Sequence, residues 1–187
     1  MNQKTALLVA LGLILLAGTA RAEVAFQFAV PNANLPESSA VSGVRLSFLH
    51  GENTSQRGLD LGLLSVSETQ TLSGLALIGG ISRVTGSMDG GAAFSLVNWH
   101  SGSDSGLNAA FINVVNDTRD GFNLGFVTIA DSSTGVDLGG FNLSKTSTAQ
   151  IGFVNVTDRI DSFQIGFLNI AENGFLPIFP FFNAPAK

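Results

Sequence analysis

GFNLGFVTI (121–129), GVDLGGFNL (135–143), TAQIGFVNV (148–156) and SFQIGFLNI (162–170) are four versions of one nine-residue pattern. A small residue, usually glycine, is followed by an apolar residue, an Asn, Asp or Gln, and a second apolar residue. Then come another small residue, two apolar residues, an Asn or small polar residue, and a closing apolar residue. Five earlier copies share it: GVRLSFLHG (43–51), GLDLGLLSV (58–66), GLALIGGIS (74–82), GAAFSLVNW (91–99) and GLNAAFINV (106–114). Their starts fall 15, 16, 17, 15, 15, 14, 13 and 14 residues apart, a nearly constant period that marks a repeat architecture. The third copy, with Ile78-Gly79-Gly80, fits the pattern worst.

Short segments such as HSGSDS, VNDTRD and TDRID join the copies, and their Ser, Asp, Asn and Gly content is that of turns. No stretch after residue 22 sustains an i, i+3, i+4, i+7 apolar stripe, and glycine recurs inside the units, so helix is disfavoured. Aromatic and β-branched residues within the copies favour strand. Each copy is thus one strand of about eight residues with a turn after it.

Two folds accommodate such a chain. One is a β-solenoid of about nine rungs of roughly 15 residues, with rungs stacked about 4.8 Å apart and a cap at each end. The other is an antiparallel meander or β-barrel. The solenoid is preferred because Asn98, Asn113, Asn142, Asn155 and Asn169 recur at the eighth position of their copies, with Ser65 and Thr128 there in two others. Stacked rungs turn such a column into an amide ladder. Five-residue units such as FQIGF-LNIAE also show a partial similarity to pentapeptide-repeat coils.

Simple alternation puts Phe122, Leu124 and Phe126 on one face and Asn123, Gly125 and Val127 on the other. A bend at the glycine would turn both ends inward. The expectation is that the row Phe48, Leu63, Leu96, Phe111, Phe126, Phe153 and Phe167 belongs mostly to the core; exposed, it would be an interaction surface.

The ends differ from the middle. Val24, Phe26, Phe28 and Val30 alternate and stop at Pro31, which suggests a leading strand and loop over residues 23–42. Residues 43–173 form the repeat domain, and 174–187 a closing segment and tail. There, Phe175, Phe179, Phe181 and Phe182 are expected to plug the last rung, while Pro177 and Pro180 deny ladder bonds to any further chain. Residues 1–22 read as a Sec signal peptide: Lys4, an apolar run from Ala6 to Ala17, and Ala20-Arg21-Ala22 before Glu23. Cleavage there leaves seven basic and fourteen acidic residues, a net charge of −7. Export to the periplasm, cell surface or medium follows, while nucleic acid is a poor partner for so acidic a chain. With no cysteine, packing and backbone pairing alone must hold the fold.

The chemistry-bearing residues are few. His50 sits at the ladder position of the first copy and His100 follows Trp99; both read as turn or ladder residues. A surface hydrolase would need a clustered Ser, His and Asp. Asp117 and Asp120, like Asp158 and Asp161, flank an arginine, so local charge pairing competes with calcium ligation. No catalytic, cofactor or metal residues are assigned.

The copies, together with the FLPIFPFFN close, resemble those of a family of exported bacterial surface-repeat proteins, the leptospiral-type surface repeat, over about residues 37–183. Members are sometimes labelled polyhydroxyalkanoate synthase, a label at odds with a chain that has no nucleophilic cysteine. Gln164-x-Gly166-x-x-Asn169-x-Ala171 is similar, more weakly, to curli-type repeats. Together these imply a non-enzymatic envelope or surface protein with a structural or adhesin-like binding role. A small outer-membrane barrel or a fibre subunit is the alternative. The partner is unidentified, self-association is open, and membrane insertion is disfavoured by the short strands.

Overall fold

The computed structural model describes residues 23–186, all strand, turn and loop without helix. The signal peptide expected over 1–22 lies outside them. The chain runs β1 (Val24–Val30), β2 (Ala33–Leu35), β3 (Ala40–Thr118), β4 (Phe122–Ala171) and β5 (Ile178–Asn183). Drawn straight, the 79 residues of β3 would reach about 260 Å. Instead the chain coils, and ladder bonding continues around its corners. Val136 N, for example, donates to Gly121 O at 3.0 Å, and Glu172 N to Asp158 O at 3.1 Å. The result is a β-solenoid of about seven turns, roughly as expected, and close glycine contacts, from Gly58 on Gly43 to Gly166 on Gly152, place each of the nine copies on the one before it.

Internal pairing is parallel and in register. Leu107 faces Phe122, Asn108 faces Asn123, and the same 15-residue offset continues to Thr118 and Ser133. β1 likewise lies parallel to the first copy, with Phe28 opposite Leu46. This rules out the antiparallel meander or barrel considered above. Among the described residues, antiparallel strands occur only at the ends, β2 on β1 and β5 on the last copy.

Close stacking explains the glycine that opens most copies. A Cβ on Gly135 would lie 1.8 Å from Gly121 O, and one on Gly106, where φ is 146°, 2.1 Å from Gly91 O. No side chain fits where one rung's backbone rests on the next.

Most of the interior is polar. The third-position column Arg45, Asp60, Asn108, Asn123, Asp137, Gln150 and Gln164 is buried from end to end, with Gln27 before it and Asn183 after it. Only Ala76 and Ala93 interrupt it, and they join Leu72, Ile78, Val84 and Met88 in a small apolar cluster. The poorly matching third copy is therefore where the core turns apolar. The Phe48-to-Phe167 row lies outside: Phe111 is 60 % and Phe167 62 % exposed, contrary to the expectation of a mostly buried row. The strand alternates from the second to the sixth position, and its phase then shifts: the eighth residue, like the third, points inward, while the fourth and sixth stay outside. The polar set takes the inside because neighbouring amides there bond one another and escape the usual cost of burial.

Candidate functional site

Two features of the coil carry its chemistry: an amide-lined interior and an apolar outer face. In the interior, Asn98 Nδ2 donates to Asn113 Oδ1 at 2.9 Å. Asn142 Nδ2 donates to Asn155 Oδ1, and Asn155 Nδ2 to Asn169 Oδ1, each at 2.8 Å. The ladder breaks at Thr128, where Asn113 Nδ2 donates instead to Leu124 O. A second file of amides runs along the third position. Asn108 donates to Asn123, Asn123 to Asp137, and Gln164 to Gln150.

The fifth position makes the Asn ladder possible. A Cβ on Gly152 would stand 2.6 Å from Asn142 Nδ2, and one on Gly166 2.5 Å from Asn155 Nδ2. In the fourth copy that small residue is Ser95, whose hydroxyl donates to Asn98 Oδ1 at 2.8 Å. The small-x-x-Asn spacing is thus one packing unit, with the fifth residue vacating space that the eighth residue's amide occupies.

Among the described residues, Arg45, Asp60, Asp104 and Asp137 are enclosed, together with His100. Arg45 forms a bidentate pair with Asp60 at 3.0 and 2.6 Å and also donates to Ser67 Oγ. Sequence reasoning missed this pair, although both residues are third in consecutive copies, a register that places them on adjacent rungs. Asp137 accepts from Asn123 at 2.8 Å, Ser147 at 2.9 Å and Ser133 at 3.1 Å. Burial raises its carboxyl pKa above the ordinary 3.8 despite those donors, which pull it down.

His100 is a further surprise. Its Nδ1 bonds Asp104 Oδ2, its Nε2 lies 3.5 Å from Ser82 Oγ, and Asn108 Nδ2 donates to the same Asp104 oxygen at 3.0 Å. The connectivity matches a hydrolytic triad, yet a triad needs a hydroxyl open to substrate. Ser82 is 3 % exposed, and His100 and Asp104 are 0 %. None of the three lines the cavity of about 580 Å³ beside His50 and Glu52. The trio is part of the interior network. At the surface, Arg119 pairs with Asp117 at 3.2 Å and Arg159 with Asp161 at 3.0 Å.

Outside, the fourth and sixth positions form two apolar columns along the coil. Every one of these eighteen positions is apolar or glycine, and none is buried. Phe28 extends the fourth-position column at one end, and Phe182, opposite Ile165, at the other. Phe111 stacks on Phe126 and Phe153 on Phe167, both at 5.2 Å between ring centroids and within 8° of parallel. Between the columns lies a groove. Toward the N-terminal end it holds about 480 Å³, with Phe28, Leu46, Leu61 and Leu77 on one side, Phe48 and Leu63 on the other, and Ser47 and Gly62 as its floor.

The C-terminal segment caps the last copy with its backbone, but its aromatic side chains extend the outer face and do not enter the coil. Phe175, Phe179, Phe181 and Phe182 are all exposed, as are Pro177 and Pro180. The side chain that enters the interior is Asn183, whose Nδ2 donates to Leu176 O at 3.1 Å. The expected aromatic plug is thereby corrected. β5 covers the edge of the last copy with its backbone, and alternation then sends Phe182 outward and Asn183 inward. Phe181 meets Phe167 edge-on at 6.5 Å, which carries the sixth-position column one level further. The chain matches no protein-family model, no curated protein and no solved structure.

Proposed function

We propose that this is an exported, non-enzymatic repeat protein of the cell envelope or surface, with a binding or structural role performed through its apolar face. One observation carries the proposal: two apolar columns, the sixth-position one broken only at Gly79 and Gly140, remain exposed along the coil while amides occupy most of its interior. Monomeric soluble proteins rarely leave a contiguous apolar surface beyond a few hundred Å². The Ala-x-Ala site before Glu23 supports export. β2 and β5, which occupy the ladder edge at each end, speak against a fibre grown by end-to-end stacking.

Fractionation of the producing cell, with N-terminal sequencing of the recovered chain, tests this. The expected result is an envelope or surface fraction in which the chain begins at Glu23. A full-length chain confined to the cytoplasm would overturn the proposal.

A further inference from the structure

We infer that the apolar face is covered by a second copy of this chain, packed sheet against sheet. The inference rests on the proposed role of that face and names its partner.

The first argument is area. β1, nine copies and β5 supply eleven levels to the fourth-position column, a length of about 50 Å at ~4.8 Å per level. Two columns two residues apart, with their side chains, span roughly 14 Å. Pairing two such faces removes about 700 Å² from each copy, some 1,400 Å² in total, within the range of stable specific interfaces.

The second argument is shape. The face consists of two ridges flanking a groove floored by small residues, among them Gly125, Gly152 and Gly166. A ridge repeating at the rung spacing matches a groove repeating at the same spacing, and a second copy supplies that spacing by identity. In a two-fold pair, the sixth-position ridge of each copy lies in the groove of the other, an isologous arrangement with dry interdigitation.

The third argument is charge. Neither column holds an ionisable residue, whereas Asp117, Arg119, Asp131, Lys145, Arg159 and Asp161 lie between the copies. The net charge of −7 on the chain from Glu23 onward disfavours an anionic bilayer, and between two copies the like charges lie off the contact, where solvent screens them.

The chain has no cysteine, so single introduced thiols report contacts cleanly. Phe111 lies in the fifth copy, at the midpoint of the column, and therefore near its own counterpart in any two-fold pairing. With the full chain expressed from its own N-terminus, sedimentation over a range of concentrations should give twice the mass of one copy. A short bis-maleimide should link Phe111→Cys to itself but leave Asp131→Cys, which lies between two copies and off the face, unlinked. Phe126→Glu should weaken the pair at least about 30-fold, as loss of a central aromatic contact does.

A protein that stays monomeric to about 100 μM, with no link through position 111, would overturn the inference, even if Phe126→Glu itself failed to fold. So would a monomer that binds phosphatidylcholine vesicles through the face. A monomer held at the envelope would leave the proposed function standing and remove only the pairing. A cytoplasmic dimer would do the reverse.

Discussion

Replacing Asn155 by alanine should destabilise this protein more than replacing Phe153, its neighbour two residues away, by alanine. Asn155 is fully buried and makes three amide bonds: from Asn142 at 2.8 Å, to Asn169 at 2.8 Å and to Ile165 O at 2.9 Å. Each buried bond contributes about 0.5–1.5 kcal/mol net, and an acceptor left unpaired costs about 1–3 kcal/mol. Asn142 keeps Ile151 O as an acceptor, whereas Asn169 Oδ1 loses the donor that Asn155 provides. The sum is about 3–4 kcal/mol. Phe153, by contrast, is 59 % exposed and loses its stack on Phe167, about 0.5–1.5 kcal/mol, plus a minor share of buried area. Its total is about 1–2 kcal/mol. A protein with an ordinary apolar core reverses this order, since Phe→Ala costs about 3–5 kcal/mol there. Thermal melts followed by far-ultraviolet circular dichroism would read the difference as a drop of about 10 °C for Asn155→Ala against about 4 °C for Phe153→Ala. A larger drop for Phe153→Ala in the dilute monomer, where pairing of the outer face does not contribute, would refute the polar-interior assignment.

Three further expectations follow from the same geometry. Asp137 holds a proton in the folded chain at pH values where the unfolded chain has lost it, so its contribution to stability falls as pH rises from about 3.8 through the raised folded pKa. Asp137→Asn does not titrate and continues the amide file, so its melting point should gain on wild type across that window and stay above it at pH 7; a pH-independent difference would refute this. Gly135→Ala, which places a Cβ 1.8 Å from Gly121 O, should destabilise far more than Gly90→Ala, where nothing lies within 4 Å and a φ of 63° costs about 1–2 kcal/mol; equal melting points would count against the stacking. Deleting residues 174–187 removes β5 from the edge of the last copy and should yield aggregates by size-exclusion chromatography. An unchanged, soluble and equally stable protein would show that β5 is no cap.

The period together with one polar register made the coil the preferred reading over an antiparallel meander, because stacked rungs bring the same amide to the same place in each turn. Recurrence of Asn98, Asn113, Asn142, Asn155 and Asn169 marked one column in the same way. The Arg45–Asp60 pair was within reach of that logic, since register predicts which residues stack. The Ser82–His100–Asp104 cluster was not: the contact between Ser82 and His100 spans 18 residues, a distance set by corner geometry and not by the repeat.

What the sequence by itself determined is therefore the strand content, the repeat and the columns, while the parallel stacking it favoured was settled by the pairing register. Which side of each strand faces inward was decided only by the tertiary structure. Alternation separates Asn123 from Phe122 and Leu124 but is silent on which set is enclosed, and the habit of burying aromatics points the wrong way here. The outcome turns on partners one rung away: amides with neighbours above and below satisfy one another inside a narrow coil. Phenylalanines then stack along the outside of the coil.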